Sequence, residues 1–291
     1  MVASFSLLTF NAFGTARSAS SFLRWRGIED PERLEHPSLL ELIESTTIAC
    51  FQEIFLSEAE EFFARLSHPE RHADSNATEL RPLTFGGSGL AIASRFPRIA
   101  GTIARYAPPH THAERFARKG ILHARLAIDD SPGAPLVDVV TTHLQAGNGK
   151  AAIRVRERQL RELGLFVAAI RSPDRAAIVC GDFNVDALAH DAFEYRALCD
   201  ALPGFVDLGA EENAPTFDPR SDRNALAHRF DADHPVQRID CVFFRAPDDG
   251  SIVADHCELV LDRPLDERRS PPLFASDHFG LRATFRVAGR G

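Results

Sequence analysis

The sequence predicts an α/β fold in which two packed β-sheets are flanked by helices. Three observations carry this reading. Short apolar β-like runs recur along all 291 residues, helical patterns are interspersed among them, and nothing between them resembles a linker. Strands outnumber helices and come from both ends of the chain. One sheet would leave many apolar faces uncovered, whereas two stacked sheets with helices outside would bury them. Pro/Gly-rich pieces such as Gly86-Gly-Ser-Gly and Arg269-Ser-Pro-Pro are short, so a single domain over residues 1–291 is expected.

In chain order, strands are expected at Ser4–Phe10, Thr47–Gln52, Leu90–Ser94, Ile121–Ile128, Val137–Thr142, Ala177–Cys180, Ile239–Phe244, Ile252–Leu261 and Leu281–Val287. Alternation supports several of them. In the fourth, Ile121, His123 and Arg125 fall on one face and Leu122, Ala124 and Leu126 on the other. Among helices, Pro37-Ser-Leu-Leu-Glu places proline at a first helical position, where its missing N–H costs nothing. Ser57-Glu-Ala-Glu reads as a capping box opening a helix over Glu58–Leu66. The clearest helix is Ile153–Ile170, apolar at Leu160, Leu163, Phe166, Val167 and Ile170. Its charge-rich stretch Arg154–Glu162 reads as a solvated face.

Composition narrows the classes. Hydrophobic residues make up 44% and charged residues 25%, the balance of a globular chain. The longest uncharged run, Met1 to Ala16, is broken by Ser, Thr, Asn and Gly and falls short of the roughly 18 apolar residues of a membrane span. It also lacks the basic start of a secretory signal, so a cytoplasmic protein is expected, with a mature secreted form as the alternative. A net charge of −8 argues against a protein that coats nucleic acid or anionic membrane. Five cysteines without a CxxC pair are expected as free thiols, with Cys50, Cys180 and Cys241 inside apolar runs. A reducing compartment fits them.

The chemistry-bearing residues cluster by position. Asn11 follows FSLLTF, Glu53 follows TTIACFQ, and His143 follows VDVVTT. Asp182 and Asn184 follow AAIVC, Asp240 sits within QRIDCVFF, and Asp277 and His278 lie in SDHFGL. Each alone reads as a turn or cap residue. Together they supply carboxylates, amides and two imidazoles, the parts needed to hold a hard divalent cation through oxygen and to move protons near neutral pH.

The motifs FN (10–11), QE (52–53), THLQ (142–145), GDFN (181–184), RID (238–240) and SDH (276–278) occur in that order. They resemble those of the metal-dependent endonuclease/exonuclease/phosphatase superfamily, as does Ser88-Gly-Leu-Ala-Ile-Ala-Ser-Arg-Phe-Pro. The resemblance implies a four-layered α/β sandwich with the active site at one sheet edge. Within the superfamily, Thr216-Phe-Asp-Pro, Asn224-Ala-Leu-Ala and Gln237-Arg-Ile-Asp are similar to the matching region of bacterial-type neutral sphingomyelinases. So are THLQAG and Arg118-Lys119-Gly120. The aromatic membrane hairpin of those enzymes is not evident, Trp25 being the only tryptophan.

The resemblance implies a phosphodiester hydrolase dependent on Mg²⁺, with Mn²⁺ or Co²⁺ as substitutes. Glu53 would be the principal metal ligand, helped by Asn11, with Asp277 completing the site. His278 would act as general base, Asp240 would orient it, and Asp182 would hold the attacking water or a second metal. His143 and Asn184 would donate to phosphoryl oxygens. Lys119 resembles a position near the phosphate or headgroup, and a solvent-facing lysine is its plain alternative. The expected substrate is a phospholipid at a membrane surface, cleaved to a phospho-headgroup by a monomer without protein partners. The competing reading is a nuclease with the same metal chemistry, and a third is a binding module that has lost it. Two imidazoles in Pro108-Pro-His-Thr-His could share a strand face, but the flanking prolines favour a solvated turn.

Overall fold

A computed structural model describes residues 4–14, 30–74, 87–111, 117–129, 131, 133–189 and 192–288. Gly86, Trp25 and His112 lie outside them. The first sheet has six strands in the spatial order β11 (Ile252–Val260), β12 (Gly280–Val287), β1 (Ser4–Gly14), β2 (Ile48–Ile54), β4 (Ala91–Ser94) and β3 (Glu70–Ala73). The second runs β5 (Arg98–Arg105), β6 (Gly120–Ala127), β7 (Leu136–His143), β8 (Ala176–Asp182), β10 (Asp240–Arg245) and β9 (Val206–Asp207). Each sheet is mixed. β1 pairs parallel with β2, β7 pairs parallel with β8, and the remaining ladders are antiparallel.

The alternation of strand side chains builds the layers. Inward residues of both sheets, among them Leu7, Ile48, Cys50, Leu122, Val139, Ile178, Cys180, Val242 and Phe285, share one buried core. Outward residues of the first sheet, Leu8, Phe10, Ala49 and Phe51, pack under α1 (Pro37–Ser45) and α2 (Ser57–Arg65) through Leu39, Ile43, Phe62 and Phe63. Outward residues of the second sheet, Ile121, Val140, Val179 and Phe243, pack under α3 (Lys150–Ile170) and α4 (Phe193–Ala201) through Leu160, Leu163, Val167 and Leu198. The result is helix, sheet, sheet, helix, the two mixed sheets flanked by helices that the sequence predicts. All five cysteines are free thiols, with Cys199 the only one of them not fully buried. Among the described residues no helix is long and apolar enough to cross a membrane.

Three local expectations are corrected. Ser57 is the first residue of α2 and not its cap: Leu56 holds the cap position without a side-chain bond, and the Ser57 hydroxyl turns to Glu58. α3 starts a turn earlier than expected, at Lys150. Its charged stretch is also not wholly solvated. Arg156 is buried, where it grips Glu194 with both Nε and Nη2 and donates to the carbonyls of Gln145 and Gly147. Beside it, buried Gln159 accepts from the Gln145 amide. These two side chains anchor the loop that follows β7 and its terminal His143.

Candidate active site

Register carries the polar residues to one edge of the sandwich. The parallel β7–β8 pair sets His143 beside Asp182, and the antiparallel β8–β10 pair sets Asp182 beside Asp240. Asp240 opens its strand, where the apolar-run pattern would have it within one, and its antiparallel direction brings it to the edge where β7 and β8 end. On the first sheet Asn11 pairs with Gln52, and Glu53 follows. Gln52 reaches across the core, its amide donating to Thr9 (3.2 Å) and to Thr141 of the opposite sheet (2.9 Å). The sheets are thus tied by polar bonds just beneath the cluster.

The ladder breaks where the site begins. Pairing between β1 and β2 shifts register between Asn11 and Gly14, and Phe13 and Glu53 adopt φ of 47° and 62°. Such angles are costly for residues with a Cβ and persist where surrounding contacts fix them. Gly14 is required here, since a Cβ on it would lie 2.2 Å from the Glu53 carbonyl oxygen. Asn184 (φ 51°) makes a third such turn, its backbone N–H donating to Asp182 Oδ1 at 3.0 Å.

Side chains of both sheets then meet. Asn11 Nδ2 donates to Asp182 Oδ2 (3.1 Å), and His143 Nε2 lies 3.1 Å from the same oxygen. His278, from the loop before β12, places Nδ1 2.8 Å from Asp240 Oδ2 and Nε2 4.0 Å from Asp182 Oδ2. The edge of the Phe217 ring packs against its imidazole, with centroids 5.3 Å apart. Behind the pair, Thr216 Oγ1 accepts from the backbone N–H groups of Ile239 and Asp240, and the Phe279 amide donates to the Thr216 carbonyl. Asn224 caps α5 (Ala225–Asp231), and its own amide donates to the Ser276 carbonyl. The Thr216–Asp240 stretch is therefore a brace that fixes His278 against Asp240.

Other expected residues divide. Glu53 and Asp277 are buried at the same edge by strand register and loop position, and Ser276 Oγ donates to Asp277 Oδ1 (3.2 Å). Asn184 Nδ2 donates to the Leu144 carbonyl (3.1 Å). The solvent-facing alternative for Lys119 is overturned. It is buried, with Nζ 2.8 Å from His143 Nε2 and 2.6 Å from the Leu144 carbonyl. In the Pro108-Pro-His-Thr-His segment, the Thr111 backbone N–H donates to Gln145. No signal singled out Gln52 beyond its place in the QE motif, and none singled out Arg33. Long polar residues are ordinarily surface residues, and only convergence in space shows otherwise.

Burial raises the cost of every charge here, and partners decide the outcome. Burial alone would push the Asp182 carboxyl up, but His143, His278 and Lys119 hold it far below the usual carboxylate range. Burial alone would push His278 down, yet Asp240, with Asp277 and Asp182 beside it, raises it to about 10. Glu53, Asp277 and the Asn11 amide carry oxygen, the ligand type that hard divalent cations prefer. Among the described residues, single donor atoms of Asp182, Asp240 and His278 lie within 4.8 Å of one another. Of these, Asp240 and His278 already satisfy each other, which suits them to proton transfer.

Two mixed sheets with this buried carboxylate–imidazole edge define a phosphoric diester hydrolase dependent on a divalent metal. The chain belongs to the Endonuclease/Exonuclease/phosphatase family, whose sequence model matches residues 8–278. A search of curated protein sequences finds no match. Among solved structures, a magnesium-bound mutant of beta toxin from Staphylococcus aureus is similar at 16% identity and a TM-score of 0.74, covering 96% of this chain and 99% of that one. Sphingomyelinase C from Streptomyces griseocarneus is similar at 17% identity and 0.70, covering 97% and 99%. D. rerio TDP2 complexed with a single-strand DNA product is similar at 17% identity and 0.68, covering 98% and 99%. At these identities the likeness speaks for the fold.

Proposed function

We propose that the chain is a Mg²⁺-dependent phospholipase C of sphingomyelinase type, which hydrolyses a phospholipid to a phospho-headgroup and a neutral lipid. The observation that carries the hydrolytic part is the 4.0 Å gap between His278 Nε2 and Asp182 Oδ2. It is too long for a direct bond and is a length that one water about 2.8 Å from each atom could span. Asp240 fills Nδ1 of His278, so in the neutral imidazole Nε2 is the nitrogen left to take a proton from that water. With the pKa raised to about 10, that neutral form grows as pH rises toward this value. Asp182, held as a carboxylate, orients the water toward phosphorus. The second amide proton of Asn184 would donate to a phosphoryl oxygen as charge builds on it, with His143 held beside it against Asp182.

Glu53, Asn11 and Asp277 would hold the metal, which supplies charge neutralisation at the phosphoryl and leaving oxygens when bound. Lys119 holds His143 through Nε2, the nitrogen that also faces Asp182. Two features favour a lipid over a polynucleotide. The Thr216–Asp240 brace carries the sphingomyelinase-like sequence, and the net charge of −8 opposes the phosphate contacts that dominate nucleic-acid affinity.

The test is a Mg²⁺-supplemented screen over sphingomyelin and lysophospholipid mixed micelles, a chromogenic phosphodiester and plasmid DNA. Phosphocholine release from a choline lipid supports the proposal. Salt-sensitive cleavage of the plasmid without lipid turnover would replace it with the nuclease reading.

A further inference from the structure

Arg33 is among the largest fully buried side chains, and its hydrogen bonds converge on the catalytic edge. It belongs to a short 3-10 turn, Pro31–Arg33, ahead of α1. Its Nη1 donates to the carbonyls of Ala12 (2.7 Å) and Ala275 (2.6 Å), and its Nη2 to that of Phe13 (2.6 Å). Its guanidinium also lies 5.6 Å from the centroid of the Phe13 ring.

The three carbonyls are not arbitrary ones. Ala12 and Phe13 lie in the register shift of β1, where the β1–β2 ladder no longer serves them, and they directly follow Asn11. Ala275 lies two residues before Asp277 and three before His278. Buried carbonyls without donors are costly, so the donors that Arg33 supplies lower the cost for this stretch of β1 of leaving its ladder. One planar fork supplies them to both segments at once and fixes their separation. A lysine, with its single nitrogen, cannot match that geometry.

We propose that Arg33 is a positioning residue that sets the spacing between the β1 end bearing Asn11 and the loop bearing Asp277 and His278. This inference rests on the roles given above to Asn11, Asp277 and His278. The three bonds above all go to backbone carbonyls. Arg33 acts through backbone, and its loss should loosen the metal-holding and proton-accepting groups relative to each other while substrate contacts on β7 and β8 stay in place.

The test compares the wild-type chain with Arg33→Lys and Arg33→Ala, and with Leu163→Ala as a core control on the far side of the second sheet. Turnover of a soluble chromogenic phosphodiester is measured per folded molecule, and Mn²⁺ affinity is read separately by electron paramagnetic resonance. The expected result for Arg33→Lys is a fall in kcat of about 10-fold or more with KM within about threefold. Its Mn²⁺ binding should weaken several-fold, and Leu163→Ala should match wild type in both. Methylguanidinium added to Arg33→Ala should restore part of the lost kcat or Mn²⁺ affinity by refilling the socket. An Arg33→Lys enzyme with wild-type kcat and Mn²⁺ affinity would overturn the proposal. So would Arg33→Ala losing only thermal stability, with no response of either readout to methylguanidinium. A wild-type chain that binds Mn²⁺ but turns over no phosphodiester would refute the catalytic reading, and the Mn²⁺ comparison would still decide the role of Arg33.

Discussion

His278 Nδ1 and Asp240 Oδ2 lie 2.8 Å apart, on segments 38 residues apart in sequence and joined by no regular ladder. The pair spans the two sheets, buried on both sides, and leaves His278 Nε2 facing Asp182. Orientation and basicity of the imidazole thus depend on a carboxylate from the opposite sheet. Asp240→Asn keeps the shape and removes the charge, so it should lower kcat by about 10²–10⁴ with little change in KM or melting temperature. Steady-state kinetics beside a thermal melt checks this, and near-normal turnover would contradict it.

Glu53→Ala should weaken the response to metal more than it weakens the fold. Chelation of wild type with EDTA should abolish hydrolysis, and added Mg²⁺ should restore it. In the variant, the Mg²⁺ concentration for half-maximal rate should rise at least about tenfold, with a rate loss of about 10² or more at saturation. An unchanged Mg²⁺ titration would remove Glu53 from the metal site.

Far from that edge, Asp138 supports the second sheet. It is buried among His123 (2.8 Å), Arg125 (2.8 Å) and Arg175 (2.9 Å). Burial would raise its pKa, but these three partners lower it on balance. A carboxyl whose folded pKa is depressed lends stability above its unfolded value near 4 and loses it as pH falls through the lower folded value. Asp138→Ala should therefore cost about 3 kcal/mol at pH 7, and the gap from wild type should shrink as pH falls below about 4. Urea unfolding across that range measures both.

How α3 meets α4 gives a prediction about packing alone. A Cβ on Gly164 would lie 2.7 Å from the carbonyl oxygen of Ala201. Gly164→Ala should destabilise the protein by about 1–3 kcal/mol by forcing the helices apart, despite alanine's better helix propensity. Activity per folded molecule should not change. A variant as stable as wild type in a denaturant melt would show that the helices can shift freely.

The sequence made the strands legible where one face or both are apolar, and hence the site residues at their ends. Asn11, His143, Asp182, Asp240 and His278 are brought within hydrogen-bonding reach of one another or of shared partners. β5 was not legible, because it is an exposed edge strand and RIAGTIAR carries no buried face to impose alternation. Nor were β3, whose four residues ERHA are too few to show a period, and α4, whose leading Phe193 is exposed. Arg33, Arg156 and Arg238 were missed for another reason. Each is buried against carbonyls or carboxylates from distant segments, and Arg238 is held by both oxygens of Asp207. No local pattern reveals such a partner.

The most direct test of the account is Mg²⁺-dependent hydrolysis of a soluble phosphodiester by wild type and by His278→Ala, with circular dichroism confirming the same fold. The account predicts metal-dependent turnover by wild type and a loss of about 10²–10⁴ in the variant at saturating Mg²⁺. Turnover by His278→Ala within a few-fold of wild type would contradict it.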